Sequence, residues 1–266
     1  MKAVTGFFMA WGNFCAIPCP CKKWDEKARA HMLVMFPVIG LIMGILWYGL
    51  FLLIRVANIP APLAAAPLTA YPFAISGFIH LDGFMDCNDA ILSRRPLEER
   101  RRILKDSHVG AFAVITAILL FLLFYASMRS VLDRENPHIM WSLILIPVLS
   151  RAMSARAVMT HRPLPASQYE ATFAAACPRR FKWAVSVIWI AAAVLLISGG
   201  FLETMLDPQG GPALVRTFAV LAAAEFCASI VSGAYARRQL GGMSGDIAGF
   251  ALVWSELAAV LSLAVI

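Results

Sequence analysis

The sequence predicts an all-α fold: a polytopic integral membrane bundle of about seven transmembrane helices, preceded by an N-terminal interfacial or re-entrant helix. Two observations carry that prediction. Apolar residues make up 60% of the 266-residue chain and charged residues only 15%, where ordinary globular domains run nearer ~45–50% and ~25%. The apolar residues also gather into runs of roughly 20, the length that crosses a ~30 Å hydrocarbon core as a helix. These runs fall at about 33–54, 60–80, 109–128, 139–160, 183–201, 213–235 and 246–266. The segments between them are too short for a separate soluble domain, so 1–266 reads as a single membrane-embedded domain.

The elements follow in order. Residues 3–18 are apolar but lack a small-x-small cleavage site and end in Pro18, Pro20, Lys22 and Lys23. That ending suits an interfacial or re-entrant helix better than a signal peptide. Cys19-Pro20-Cys21 invites a metal reading, but zinc normally takes four ligands and no second pair follows, so reduced thiols are expected. Pro60, Pro62 and Pro67 open the second span, where helices tolerate proline. Pro37 and Pro147 lie inside spans, as kinks whose freed carbonyls neighbouring helices re-satisfy.

The net charge is +7. With the N-terminus in the cytoplasm, the basic residues sort by the positive-inside rule. Lys2, Lys22, Lys23, the run Arg94 to Lys105, Arg162, Arg179 to Lys182, Arg237 and Arg238 fall inside. Arg55, Arg129, Arg134 and Arg216 fall outside. The loops at about 81–108, 161–182 and 236–246 therefore face the cytoplasm, and the chemistry is expected there.

The most informative stretch is His80-Leu81-Asp82-Gly83-Phe84-Met85-Asp86-Cys87-Asn88-Asp89. Asp82, Asp86 and Asp89 stand at i, i+4 and i+7, within about 60° of one another on a helix. If the helix is unbroken, His80 falls nearly opposite. Three clustered carboxylates at a membrane boundary repel strongly, so they sit in bulk water, protonate or share a cation. An all-oxygen site favours Mg²⁺ or Mn²⁺ over zinc. The arginines that follow suit anionic groups, although positive-inside topology alone demands much of that run. Lys105-Asp106-Ser107-His108-Val109-Gly110 closes the loop, with Asp106 either a helix N-cap or a further ligand.

Arg151 and Arg156 lie in the fourth span and Glu225 in the sixth. Ionisable residues at such depth usually face a cavity or a partner. Gly241-Gly242-Met243-Ser244-Gly245-Asp246 can bend tightly and present N–H groups to phosphate, and its Asp246 lies on the side of the other acids.

Taken together these segments resemble the cobalamin synthase (adenosylcobinamide-GDP ribazoletransferase) family. The likeness runs through His80-Leu81-Asp82-Gly83-x-x-Asp86-x-x-Asp89, Leu97-Glu98, Lys105-Asp106-Ser107-x-x-Gly110, Ser150-Arg151 and His161-Arg162. It continues in Gly241-Gly242-x-Ser244-Gly245-Asp246-x-x-Gly249 with Glu256, and upstream in Ile17-Pro18-x-Pro20 and Phe36-Pro37-Val38-Ile39-Gly40-x-x-x-Gly44. Three departures mark a divergent member. Where the family pattern has paired glycines before the histidine, Gly77 is followed by Phe78; Ala90 replaces a glycine, and Val253 an acidic residue.

The resemblance implies a Mg²⁺-dependent phosphoryl transfer in a prokaryotic cytoplasmic (inner) membrane. A ribose hydroxyl of α-ribazole, or of its 5′-phosphate, attacks the cobinamide-linked phosphorus of adenosylcobinamide-GDP, and GMP leaves. On that reading Asp82, Asp86 and Asp89 hold Mg²⁺, completed by Asp246 or Asp106. Arg151 and Lys105 offset phosphate charge. Ser107, Gly241, Gly242, Ser244 and Gly245 line the substrate phosphates, and His80 or a carboxylate takes the hydroxyl proton. Nucleic acid is not an expected partner. Two alternatives stand beside it. A CDP-alcohol phosphotransferase would also use aspartates and Mg²⁺, but its Ala-Arg element is missing. A cation or metabolite transporter would place its acids near the midplane and show inverted repeats.

Overall fold

The computed structural model describes residues 2–134, 137–165, 177–206 and 211–266. Ten α-helices occur among the described residues. The first six are α1 (Lys2–Phe14), α2 (Arg29–Val56), α3 (Ala61–Ile75), α4 (Ile79–Leu92), α5 (Leu97–Ile103) and α6 (Ala111–Asp133). The others are α7 (Ile146–Thr160), α8 (Arg179–Leu206), α9 (Gly211–Leu240) and α10 (Gly245–Val265). Six helical stretches are long and apolar enough to cross a membrane, with the bent pair α3–α4 a possible seventh. The chain is a multi-pass membrane protein, as its composition predicts.

The bundle is layered. α7 and α10 are buried over most of their length, whereas α6 and α8 leave most of theirs exposed. The exposed residues are large and apolar: Val114, Ile118 and Leu122 on α6, Val187, Ile190 and Val194 on α8. Such helices are stable against lipid and unfavourable in water. α1 is too short to cross; it packs its Gly6, Met9, Ala10 and Phe14 face inward, mainly against α2. Its end is tied to α3 by the Ala16 N–H donating to the Ile75 carbonyl at 2.8 Å.

Two expectations need correction. The second span does not run on from about 60 to 80. It breaks at Ser76–Phe78, and α4 leaves α3 at 88°. Gly77 and Phe78 both take left-handed backbone, φ 62° and 61°. Continuous hydropathy hides this elbow, because both limbs are apolar. Pro147 lies inside the fourth span, His138–Thr160, as expected, at a junction between two helix types. Residues 137–144 form a 3₁₀ helix, and Pro147 sits in the first turn of α7, where its missing N–H costs nothing. Pro67, expected at a helix opening, lies inside α3 together with Pro72. Part of the expected loop 161–182, residues 166–176, lies outside the described residues.

Glycines set the closest helix contacts. A Cβ on Gly40 would lie 2.8 Å from Arg151 Cδ, and one on Gly44 2.8 Å from Ile144 Cα. The Gly40-x-x-x-Gly44 spacing is thus a small-residue stripe that lets α2 pack onto the start of α7.

Candidate active site

The 88° elbow aims α4 across the beginnings of α6 and α10. Gly83 crosses the Asp246 backbone so closely that a Cβ there would stand 2.7 Å from Asp246 Cα, and Gly249 lies against the backbone of His80. Phe84 stacks on Phe250 at 5.7 Å and clamps the crossing. The α4 face turned away from the core carries the acids: Asp82 is exposed, Asp86 and Asp89 half-buried. Asp246, in the first turn of α10, joins them from the neighbouring helix. Asp86 feels the charges of Asp82, Asp246 and Asp89.

Local hydrogen bonding fixes two of the four. Ser244 caps α10: its Oγ accepts from the Ile247 N–H at 3.3 Å and donates to Asp246 Oδ2 at 3.2 Å. Asp89 Oδ1 accepts from the Ala113 N–H at 3.3 Å and so caps α6 from outside. Its carboxylate occupies the space that a Cβ on Gly110, the α6 N-cap, would need. Two helix N-termini, each the positive end of a peptide dipole, therefore bear on the acidic cluster. Among the described residues no lysine, arginine or histidine forms an ion pair with any of the four.

Uncompensated carboxylates gathered this way are an all-oxygen donor set that fits a hard divalent cation. Among the described residues no three Asp, Glu, His or Cys side chains close around a point. Mg²⁺ is usually held by one or two carboxylates plus substrate phosphates and water. A groove of about 450 Å³ leads to Asp82 along Asn13, Ala16, Ser76 and Phe78, between the end of α1 and the elbow.

The other expected site residues are placed differently. His80 points into the bundle. It is buried, its ring 6.1 Å from Phe14 and 5.6 Å from Phe36, and its Nε2 has no partner among the described residues. The structure does not bring it to the carboxylates. Arg151 is buried in α7: its Nη1 donates to Glu256 Oε1 at 2.7 Å and to the Pro147 carbonyl at 3.3 Å. Ser150 Oγ donates to the same Glu256 oxygen at 2.9 Å. Sequence reasoning noted Arg151 and Glu256 separately and missed that they pair. The available signal was an ionisable residue inside each span; the sequence does not say that the two spans pack together.

Lys105, Asp106 and Ser107 are exposed. Asp106 accepts from the His108 N–H at 3.0 Å and from His108 Nδ1 at 2.7 Å. Those bonds hold its carboxyl below the usual range. It does not cap α6, whose N-cap is Gly110. The glycine turn is stitched down on two sides. The Met243 N–H donates to the Arg162 carbonyl and the Leu164 N–H to the Met243 carbonyl, both at 2.8 Å. Arg101 Nε donates to the Leu240 carbonyl at 2.9 Å, just before Gly241 at φ 85°. Arg100 donates to Gln239. Two arginines of the basic run thus tie α5 to the end of α9, and the turn holds Ser244 and Asp246 against α4.

A profile for cobalamin-5-phosphate synthases matches residues 6–264. The chain belongs to this family. It is 35% identical to the adenosylcobinamide-GDP ribazoletransferase of Clostridium perfringens (strain SM101 / Type A) over 97% of this chain and 96% of that one. Against the enzyme of that name from Clostridium botulinum (strain Alaska E43 / Type E3), identity is 37% over the same shares. Against that of Lachnoclostridium phytofermentans it is 33%, over 100% and 95%. No solved structure matches. Membership carries the transferase class and a step of cobalamin assembly with it.

Proposed function

We propose that this chain joins adenosylcobinamide-GDP to α-ribazole or its 5′-phosphate with release of GMP, acting at the cytoplasmic face of a prokaryotic inner membrane with its N-terminus inside. The observation that supports this reading is the set of four carboxylates between α4 and the N-termini of α6 and α10, unpaired with any base among the described residues, in a chain whose relatives carry that name. Sidedness rests on the basic loops.

In this reading Asp82, Asp86 and Asp246 hold Mg²⁺, with Asp89 anchoring the ladder to α6. Bound there, Mg²⁺ would offset the charge of the diphosphate, the main requirement of phosphoryl transfer. The acceptor hydroxyl forms a new bond to the cobinamide-linked phosphorus. The bond from that phosphorus to the bridging oxygen breaks, and GMP departs with the bridging oxygen. The hydroxyl proton passes to the carboxylate of Asp82, the exposed member at the end of the groove. His80, facing the other way, packs its ring against Phe14 of α1 and Phe36 of α2 instead.

The test uses detergent-purified protein with adenosylcobinamide-GDP, α-ribazole 5′-phosphate and Mg²⁺, following GMP and corrinoid product by chromatography. Equal amounts of both products, abolished by EDTA and restored by Mg²⁺, are expected. Turnover unaffected by EDTA, or an Asp82→Asn enzyme with near-normal rate, would remove the metal role.

A further inference from the structure

A second polar feature lies away from the carboxylates, on the outer face of the bundle where α8 packs on α7. A cavity of about 380 Å³ is lined by Arg156, Arg179, Lys182, Trp183 and Ser186. A second of about 290 Å³, lined by Met153, Val185, Trp189, Phe226 and Ile230, adjoins it. Arg156 and Ser186 line both, and Arg156 Nε donates to Ser186 Oγ at 2.9 Å. The two cavities form one groove with a cationic head and an apolar tail.

Three features define what fits. Among the described residues no carboxylate pairs with Arg156, Arg179 or Lys182, so no described side chain offsets the positive charge of the head. The buried Trp189 Nε1 has no hydrogen-bond partner among the described residues, which leaves a donor in the tail wall. The groove continues onto the exposed apolar face of α8 at Val187, Ile190 and Val194. Arg156 lies four residues before the end of α7, about 6 Å along the helix axis. That depth suits a phospholipid headgroup. A soluble anion would fill only the head and an acyl chain only the tail.

We infer that this groove is a binding site for an anionic phospholipid, its phosphate on Arg156, Arg179 and Lys182 and an acyl chain along Met153, Trp189 and Phe226. The lipid closes the outer seam between α7 and α8.

The experiment is native mass spectrometry of the full chain released from micelles holding equal phosphatidylglycerol and phosphatidylcholine with the same acyl chains. Wild-type protein is expected to retain phosphatidylglycerol at least tenfold over phosphatidylcholine. The double variant Arg179→Gln/Lys182→Gln is expected to lose that preference, at about fivefold per cation, while Arg102→Gln, an exposed base on α5, retains it. Ile230→Trp, which fills the tail, is expected to lower retention of both lipids, and a melting curve of each variant establishes that it is folded. Equal retention of the two lipids by wild type, or an equal loss in Arg102→Gln, would overturn the site. Displacement of the lipid by millimolar glycerol 3-phosphate would overturn it too, as the mark of a soluble-phosphate site.

Discussion

Acidic residues gather in two places in this bundle, and the two clusters resolve their charge in opposite ways. On α4 and at the start of α10, Asp82, Asp86, Asp89 and Asp246 crowd together with helix dipoles but no basic side chain among the described residues, beside a groove. In the core, Glu256 meets Arg151 at 2.7 Å, and Glu225, completely buried, has neither oxygen partnered among the described residues. The core cluster is closed and carries one counter-charge, Arg151, paired with Glu256. The peripheral cluster lacks one and is open. On the proposed Mg²⁺ reading the open cluster leaves its charge for a cation, whereas in the core Glu256 is answered from within the bundle.

The sharpest test of that contrast is to remove one charge from each cluster. Asp86→Asn should lower turnover about 10³-fold, while the metal-free protein melts no lower than wild type, because a half-buried charge among three like charges has been removed. Arg151→Met should do the reverse. It leaves Glu256 and Glu225 without their cation, at a cost of about 3–5 kcal/mol, read as a large fall in melting temperature in detergent with or without Mg²⁺. Adding Glu256→Gln to Arg151→Met should recover much of that loss. A single pattern for both clusters, stability lost in each or activity lost in each, would erase the distinction.

The join between the regions is the crossing of α4 over α10, and it gives a smaller effect. Gly83→Ala puts a Cβ 2.7 Å from Asp246 Cα, backbone that cannot swing aside as a side chain would. The helices should part by a few tenths of an ångström, costing about 1–3 kcal/mol. Because this moves Asp246 relative to Asp82 and Asp86, kcat should fall about 10–100-fold. Parallel kinetics and melting curves separate the two. A variant with normal kcat and reduced stability would show that Asp246 need not keep its distance from α4.

How much of this could be read from the sequence depends on the kind of interaction. Hydropathy alone delimits the spans, because lipid demands long apolar helices, and the i, i+4, i+7 spacing alone puts three aspartates on one face. The approach of Asp246 was legible only as a matter of sidedness; the contact itself depends on Gly83 and Gly249 letting two backbones meet. The Arg151–Glu256 pair joins residues 105 apart, and nothing local to either names the other. The bend after α3 was hidden for another reason. Apolar residues flank it on both sides at Phe73, Ile75, Phe78 and Ile79, and the local sign of the break, the turn-marking pair Ser76-Gly77, is lost when hydropathy is averaged over the span.

That break supplies the smallest of these effects and the one most specific to this chain. Phe78 adopts φ 61°, a region that costs a residue bearing a Cβ about 1–2 kcal/mol. The resemblance drawn from the sequence implies glycine here, and glycine would turn α4 away from α3 without strain. Phe78 is 53% exposed, so truncating it forfeits little packing. Phe78→Gly should therefore relieve most of the strain, partly offset by about 0.5–1 kcal/mol of added chain entropy in the unfolded state. The net gain of up to about 1 kcal/mol should appear as a melting temperature a few degrees higher, with turnover retained. Phe78→Ala is the control, since it loses the same ring but keeps the Cβ and the strain. If alanine stabilised the protein as much as glycine, the cost would lie in the exposed ring, and the backbone account of the elbow would be wrong.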